Sequence, residues 1–168
     1  MGDGTLPRET FKYYMVQDYL YLIHFARANA LAGYKAKTLD DIAGAAQIVT
    51  HIRHEINLHI DECKEFHLTQ ADIEKYEESQ ACTAYTRYVL DIGQSEDWLA
   101  LQISLLPCLL GYGEIARRLK GLQETNPPKE PNKYLKWINN YVAEDYTEAV
   151  EKGCGAYLRF WLQKPSLT

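Results

Sequence analysis

Apolar residues along the 168-residue chain recur at steps of three and four, the spacing that gathers side chains on one face of a helix. No stretch keeps the two-residue alternation of a half-buried strand, and no Asn-Gly or Asp-Gly pair joins two such runs as a hairpin. The first predicted helix runs from about Pro7 to Tyr34 with Thr5 as its cap, proline being tolerated just inside a helix start. Its middle, FKYYMVQDYLYLIHFA, is apolar nearly all round, which predicts burial on several sides. Thr38 or Asp40 caps a second long helix to about His67, and Thr69 opens a short one, TQADIEKYEE, with Asp72 completing a weakened capping box. A helix of roughly 80 to 93 follows. Ser95 then caps one that carries Pro107 and Cys108 and ends near Gly121. GLQETNPPKEPNK reads as a loop, and YLKWINNYVAEDYTEAVEKG as an amphipathic helix with Tyr134, Trp137, Tyr141 and Val142 facing inward. The tail AYLRFWLQKPSLT adds a short helix before Pro165. The pattern is that of one all-α domain over residues 1–168, a bundle of about six helices.

Within LQISLLPCLLGYGEI, residues 101 to 115, a proline interrupts an otherwise good helix. It removes one backbone hydrogen bond and crowds the carbonyl of Ile103, at about 3 kcal/mol. Such a residue either ends a helix or kinks it to present something, and the residue presented is Cys108. Ser104, Cys108 and Tyr112 share a face at four-residue steps. From its position Cys108 also reads as a small core residue, since free cysteine is among the most buried types. On the first helix, Tyr14, Asp18, Tyr21 and Phe25 form an aromatic stripe with one carboxylate. Asp18 is either solvent-facing, satisfied by a tyrosine hydroxyl, or the polar grip of a slot whose rings sandwich a flat ligand.

Composition narrows the setting. The apolar fraction of 46% and charged fraction of 24% are ordinary for a globular protein. Eighteen basic against 23 acidic residues give a net charge of -5 without a basic stripe, which argues against nucleic acid as a partner. No run approaches 18 uninterrupted apolar residues, and MGDGTLPRE lacks the pattern of a signal peptide, so neither a membrane partner nor secretion is expected. Cys63, Cys82, Cys108 and Cys154 are widely spaced, which suits free thiols in a reducing cytoplasm. Thirteen tyrosines against four phenylalanines imply that the core contains hydroxyl partners as well as packing.

His51, Glu55, His59 and Cys63 lie at four-residue steps, as metal ligands could, or as a polar, half-buried structural face. No second Glu-x-x-His segment completes a bundle metal site. Gly-rich phosphate loops, the G-x-S-x-G elbow and kinase motifs are missing, which removes phosphate transfer and serine hydrolysis.

Taken together, GDGTLP followed by FKYY, QDYLYL and FARA, the E-x-x-LH of Glu55 to His59, TAYTRY around Tyr85, LLPC at 105 to 108, KWINNY ending at Tyr141 and the EDY at 144 to 146 resemble the TenA family, also called thiaminase II or aminopyrimidine aminohydrolase. The resemblance implies a heme-oxygenase-like helical bundle without heme, assembled as a homotetramer and needing no cofactor or metal. It implies hydrolysis at the methylene carbon of a 4-aminopyrimidine, thiamin or its aminomethylpyrimidine breakdown product, giving hydroxymethylpyrimidine. In fungi and their relatives such a domain is also found fused behind a hydroxymethylpyrimidine kinase. Carried over by motif, Cys108 is the nucleophile that adds to the ring and Asp18 holds the ring nitrogen and amino group. Tyr21 lines the ring, and Tyr85, Tyr112 and Tyr141 supply hydroxyls around it.

The resemblance also sets an expectation of shortening. The family begins with a further helical segment where this chain has Met1, and its later acid/base glutamate falls on Tyr157; neither Glu144 nor Glu148 lies in the matching motif. Loss of such a group costs about 10²- to 10⁴-fold in rate. The alternative to a thiol-dependent hydrolase is therefore a non-catalytic relative that binds a pyrimidine or acts in assembly.

Overall fold

In the computed structural model, residues 1–127, 130–144, 146–148 and 150–151 are described, and every regular element among them is helical. The helices are α1 (Arg8–Lys35), α2 (Leu39–Cys63), α3 (Gln70–Ile73), α4 (Gln80–Ser95), α5 (Trp98–Thr125) and α6 (Leu135–Asn140), with a 3₁₀ turn at Lys64–Phe66. They form two compact units, Pro7–Leu101 and Met1–Leu6 together with the described residues from Gln102 onward.

In the first unit, α1 starts directly after Pro7, whose missing N–H is no loss at a helix start. Thr5 does not cap it. Its N–H and hydroxyl both turn back to donate to Asp3 Oδ1, at 3.0 and 2.9 Å. The helix packs chiefly on α2 and α4. Met15, Val16 and Tyr19 of α1 meet Cys63 and Ile73 in a dry cluster, with Phe11, Tyr14, Ile56 and Leu68 around it. Thr38 caps α2 as expected, accepting from the Asp41 N–H at 3.1 Å. That helix gives way to the 3₁₀ turn before His67, which takes a left-handed φ of 59°. Thr69 and Asp72 make a full capping box, yet α3 lasts only four residues. Lys75 and Tyr76 already bond three residues back, to Asp72 and Ile73, tightening the helix to its end.

Ser79 caps α4, accepting from the Cys82 N–H at 3.1 Å. Ser95, expected to open the next helix, closes this one, its hydroxyl donating to the Asp91 carbonyl at 2.8 Å. Asp97 caps α5 instead, accepting from the Ala100 N–H at 2.8 Å, a carboxylate placed where the helix dipole favours it.

The second unit is built on α5, which runs unbroken through Pro107 to Thr125, beyond the expected stop at Gly121. Pro107 and Ile103 are both exposed, so the proline lies on an outer side of the helix. α5 is also long and apolar enough to cross a bilayer, as core helices of soluble proteins can be. The segment expected as one helix from Tyr134 is divided: α6 stops at Asn140, Tyr141–Ala143 turn, and helix resumes at Glu144. Asn139 and Asn140 supply the break, since asparagine side chains compete with the helix for backbone hydrogen bonds. Tyr134 and Ile138 are its buried residues. Asn132 donates to the carbonyls of Met1 and Gly2, each at 3.0 Å, and Tyr134 donates to that of Leu6 at 2.5 Å. These bonds tie down the GDGTLP segment, with Gly4 at φ 78° beside Asn132. The expected C-terminal helix lies outside the described residues.

Candidate functional site

In the first unit, Asp18 is buried at 6% exposure, which excludes the solvent-facing reading. Its Oδ2 lies 3.5 Å from Nε2 of His59, a half-buried side chain of α2. Tyr21, one turn further along α1, stacks on Phe25 with centroids 5.6 Å apart and planes 23° apart. On its α4 side Tyr21 stacks on Tyr85, at 5.9 Å and 15°. Asp18 and Tyr21 thus share α1, and Tyr85 of α4 joins the Tyr21–Phe25 pair.

The i, i+4 face of α2 divides. His51 is 70% exposed and 3.7 Å from Glu55, His59 turns to Asp18, and Cys63 is fully buried in the apolar cluster. Burial pushes the Cys63 thiol up to about 11, with Glu62 adding to it. Burial also pushes the Glu55 carboxyl up; His51 and His59 draw it down, while Asp18 raises it further. Glu55 and His59 thus belong electrostatically with Asp18. Their four-residue spacing allowed a metal-type face or a polar, half-buried structural one; both residues are half-buried, and spacing along one helix carries no sign of the link to Asp18. Cys82 is half-buried, its thiol raised first by burial and then by Glu78.

A surface depression elsewhere in this unit is lined by His24, Arg27, Arg87 and Asp91. It contains none of the expected site residues. Glu78 engages it through His24 Nε2 at 2.7 Å and Arg87 at 3.2 Å, so Arg87 already has a counter-charge.

In the second unit, Cys108 is half-buried on α5, on the same face as buried Ser104 and half-buried Tyr112. Cys63, rather than Cys108, takes the part of the inert core thiol. Tyr112 packs on Tyr141 with centroids 4.8 Å apart, and Trp137 lies 6.1 Å from Tyr112 and 4.6 Å from Tyr141. Tyr146, not singled out as a site residue, joins edge-on to Tyr141 at 5.1 Å and donates its hydroxyl to the Leu109 carbonyl at 3.0 Å. Gly113 permits this approach, since a Cβ there would come within 3.2 Å of the Tyr146 ring. Tyr112 and Tyr141 are thus together, with Trp137 and Tyr146 as further ring neighbours. Tyr157 and Cys154 lie outside the described residues.

The sequence pattern of the TENA/THI-4/PQQC family matches residues 1–165. A Schizosaccharomyces pombe protein named for the hydroxymethylpyrimidine/phosphomethylpyrimidine kinases is 46% identical over 154 residues, which are 92% of this chain and 27% of that protein. The aminopyrimidine aminohydrolase of Halalkalibacterium halodurans is 31% identical over 152 residues, 90% of this chain and 66% of the enzyme. The chain thus spans about a quarter of the first relative and just under two thirds of the second. The crystal structure of a TenA family transcription regulator from Silicibacter sp. TM1040 superposes with a TM-score of 0.80 at 39% identity, covering 92% of this chain and 66% of that one. By whole-length sequence match and by architecture, the chain belongs to the TENA/THI-4/PQQC family and has the TenA-type all-α helical bundle.

Proposed function

We propose that the chain is a hydrolase of thiamin-related 4-aminopyrimidines, of the thiaminase II type. The observation that carries this reading is Asp18, a buried carboxylate one turn along α1 from Tyr21, whose ring stacks on Phe25 and on Tyr85 of α4. A flat, electron-poor heterocycle with an amino edge suits that combination. The rings provide face contacts, and a carboxylate accepts from the amino group and polarises the ring. Membership of a family that includes the H. halodurans aminopyrimidine aminohydrolase supports the same substrate class.

In this proposal Cys108, carried over from the family resemblance, is the nucleophile. Its sulfur adds to the ring as the proton passes to a ring nitrogen. The amine on the exocyclic methylene departs as ammonia, leaving that carbon electrophilic. Water adds there, and the thiol is expelled. The balance is aminomethylpyrimidine plus water to hydroxymethylpyrimidine plus ammonia. Tyr112 and Tyr141 supply hydroxyls for the proton movements, and no cofactor or metal is required. A homotetramer in a reducing cytoplasm belongs to the same reading, brought by the resemblance and by the cysteine spacing.

The test is ammonia release from 4-amino-5-aminomethyl-2-methylpyrimidine by the purified chain. Release supports the proposal. A folded protein that neither releases ammonia nor binds the pyrimidine overturns it, whereas binding alone leaves the non-catalytic relative as the correct description.

A further inference from the structure

We propose that His59 is a positioning residue for Asp18 and that its second ring nitrogen receives a hydrogen bond from the bound ligand. The inference rests on the aminopyrimidine reading and deepens it. His59 Nε2 faces Asp18 Oδ2 at 3.5 Å, with side-chain exposures of 13% and 6%. An ionised carboxylate only accepts hydrogen bonds, so this contact requires a proton on Nε2. In the Nε2–H tautomer, Nδ1 is an acceptor. It is fully buried, yet no group among the described residues bonds to it. A buried polar atom without a partner costs free energy, and such atoms mark places where something else completes the pairing.

The surroundings narrow what completes it. Asp18 and Glu55, the nearby acids, are acceptors when ionised, and His51 is largely exposed and directed at Glu55. The missing partner must therefore be a donor. An amino-substituted heterocycle carries donors, whereas a carboxylate or phosphate ligand would set like against like. The 3.5 Å separation is longer than a well-formed N–H···O bond. In ligand-free sites such contacts commonly tighten on binding. His59 thus holds Asp18 by Oδ2 and, through Nδ1, selects for a donor.

Nitrogen-15 NMR of histidine in the full chain tests this, with 4-amino-5-hydroxymethyl-2-methylpyrimidine as a ligand that is not consumed. The free protein should show the Nε2–H tautomer at His59, and Asp18→Asn should perturb its signals. The pyrimidine should shift the Nδ1 resonance. By calorimetry, His59→Leu should bind about tenfold or more weakly. His59→Gln, which keeps a donor at the Nε2 position, should recover part of that loss. An Nδ1–H tautomer in the free protein overturns the inference, and so does unchanged affinity in His59→Leu. If the unsubstituted chain does not bind the pyrimidine, the aminopyrimidine reading fails, and the free-protein tautomer still decides whether His59 serves Asp18.

Discussion

Gln17 of α1 holds Ser79 at the start of α4: its Oε1 accepts the Ser79 N–H at 2.7 Å, while its Nε2 donates to the Glu77 carbonyl at 3.0 Å. A single amide thereby satisfies two backbone groups of the segment leading into α4. Tyr85, one and a half turns on, then stacks over Tyr21. Gln17→Ala should destabilise the fold by about 1–3 kcal/mol and raise KM more than it lowers kcat, because it loosens the ring wall without removing a reacting group. Urea unfolding with steady-state kinetics reads both effects, and an unchanged KM would show that the clamp does not set the wall.

Glu55 gives a pH dependence of stability. Its carboxyl is raised above its ordinary 4.5, mainly by burial, so the folded state favours the protonated form. The stabilising contribution is full below the unfolded value and is lost as pH rises through the higher folded value. Glu55→Gln should flatten that part of the profile and raise the unfolding temperature at pH 7. Thermal scans between pH 4 and pH 7 check this, and equal slopes for both proteins would contradict it.

The cysteines should separate by reactivity. Cys63 is fully buried and its thiol is pushed up to about 11, so at pH 8 it offers almost no thiolate. Half-buried Cys108 is reachable. Iodoacetamide should label Cys108 in the native protein and reach Cys63 only after unfolding, as read by peptide mass spectrometry. Cys63→Ser, which puts a hydroxyl into an apolar cluster, should cost about 1–3 kcal/mol.

Asn132 is the anchor of the first residues. Removing its amide in Asn132→Ala frees the carbonyls of Met1 and Gly2, at about 1 kcal/mol for each lost bond. Amide exchange in residues 1–6 should accelerate while that in α1 does not. Equal protection in the two proteins would assign the anchoring to Tyr134 and Leu6 alone.

Much of this was readable in the residues because local chemistry decided it. Thr38 and the Thr69/Asp72 pair announce helix starts through side-chain geometry that acts within three residues. The Tyr14–Phe25 stripe needs only the helical repeat to gather Asp18 with Tyr21. The misses are of another kind. Thr5 and Ser95 are good caps in isolation, but Asp3 and Asp97 are nearby carboxylates that reset the local bonding. The break after Asn140 turned on two weak helix formers within an amphipathic pattern. His59 could not be assigned to Asp18 from sequence because the contact joins separate helices, and the regular face from His51 to Cys63 pointed to one shared role where the fold gives several.

The most direct test of the central claim compares ammonia release from 4-amino-5-aminomethyl-2-methylpyrimidine by the unsubstituted chain, Cys108→Ser and Asp18→Asn. The account predicts release by the unsubstituted chain, none detectable from Cys108→Ser although it still binds the pyrimidine, and a loss of about 10²-fold or more in kcat/KM for Asp18→Asn. Equal release by all three proteins would contradict it.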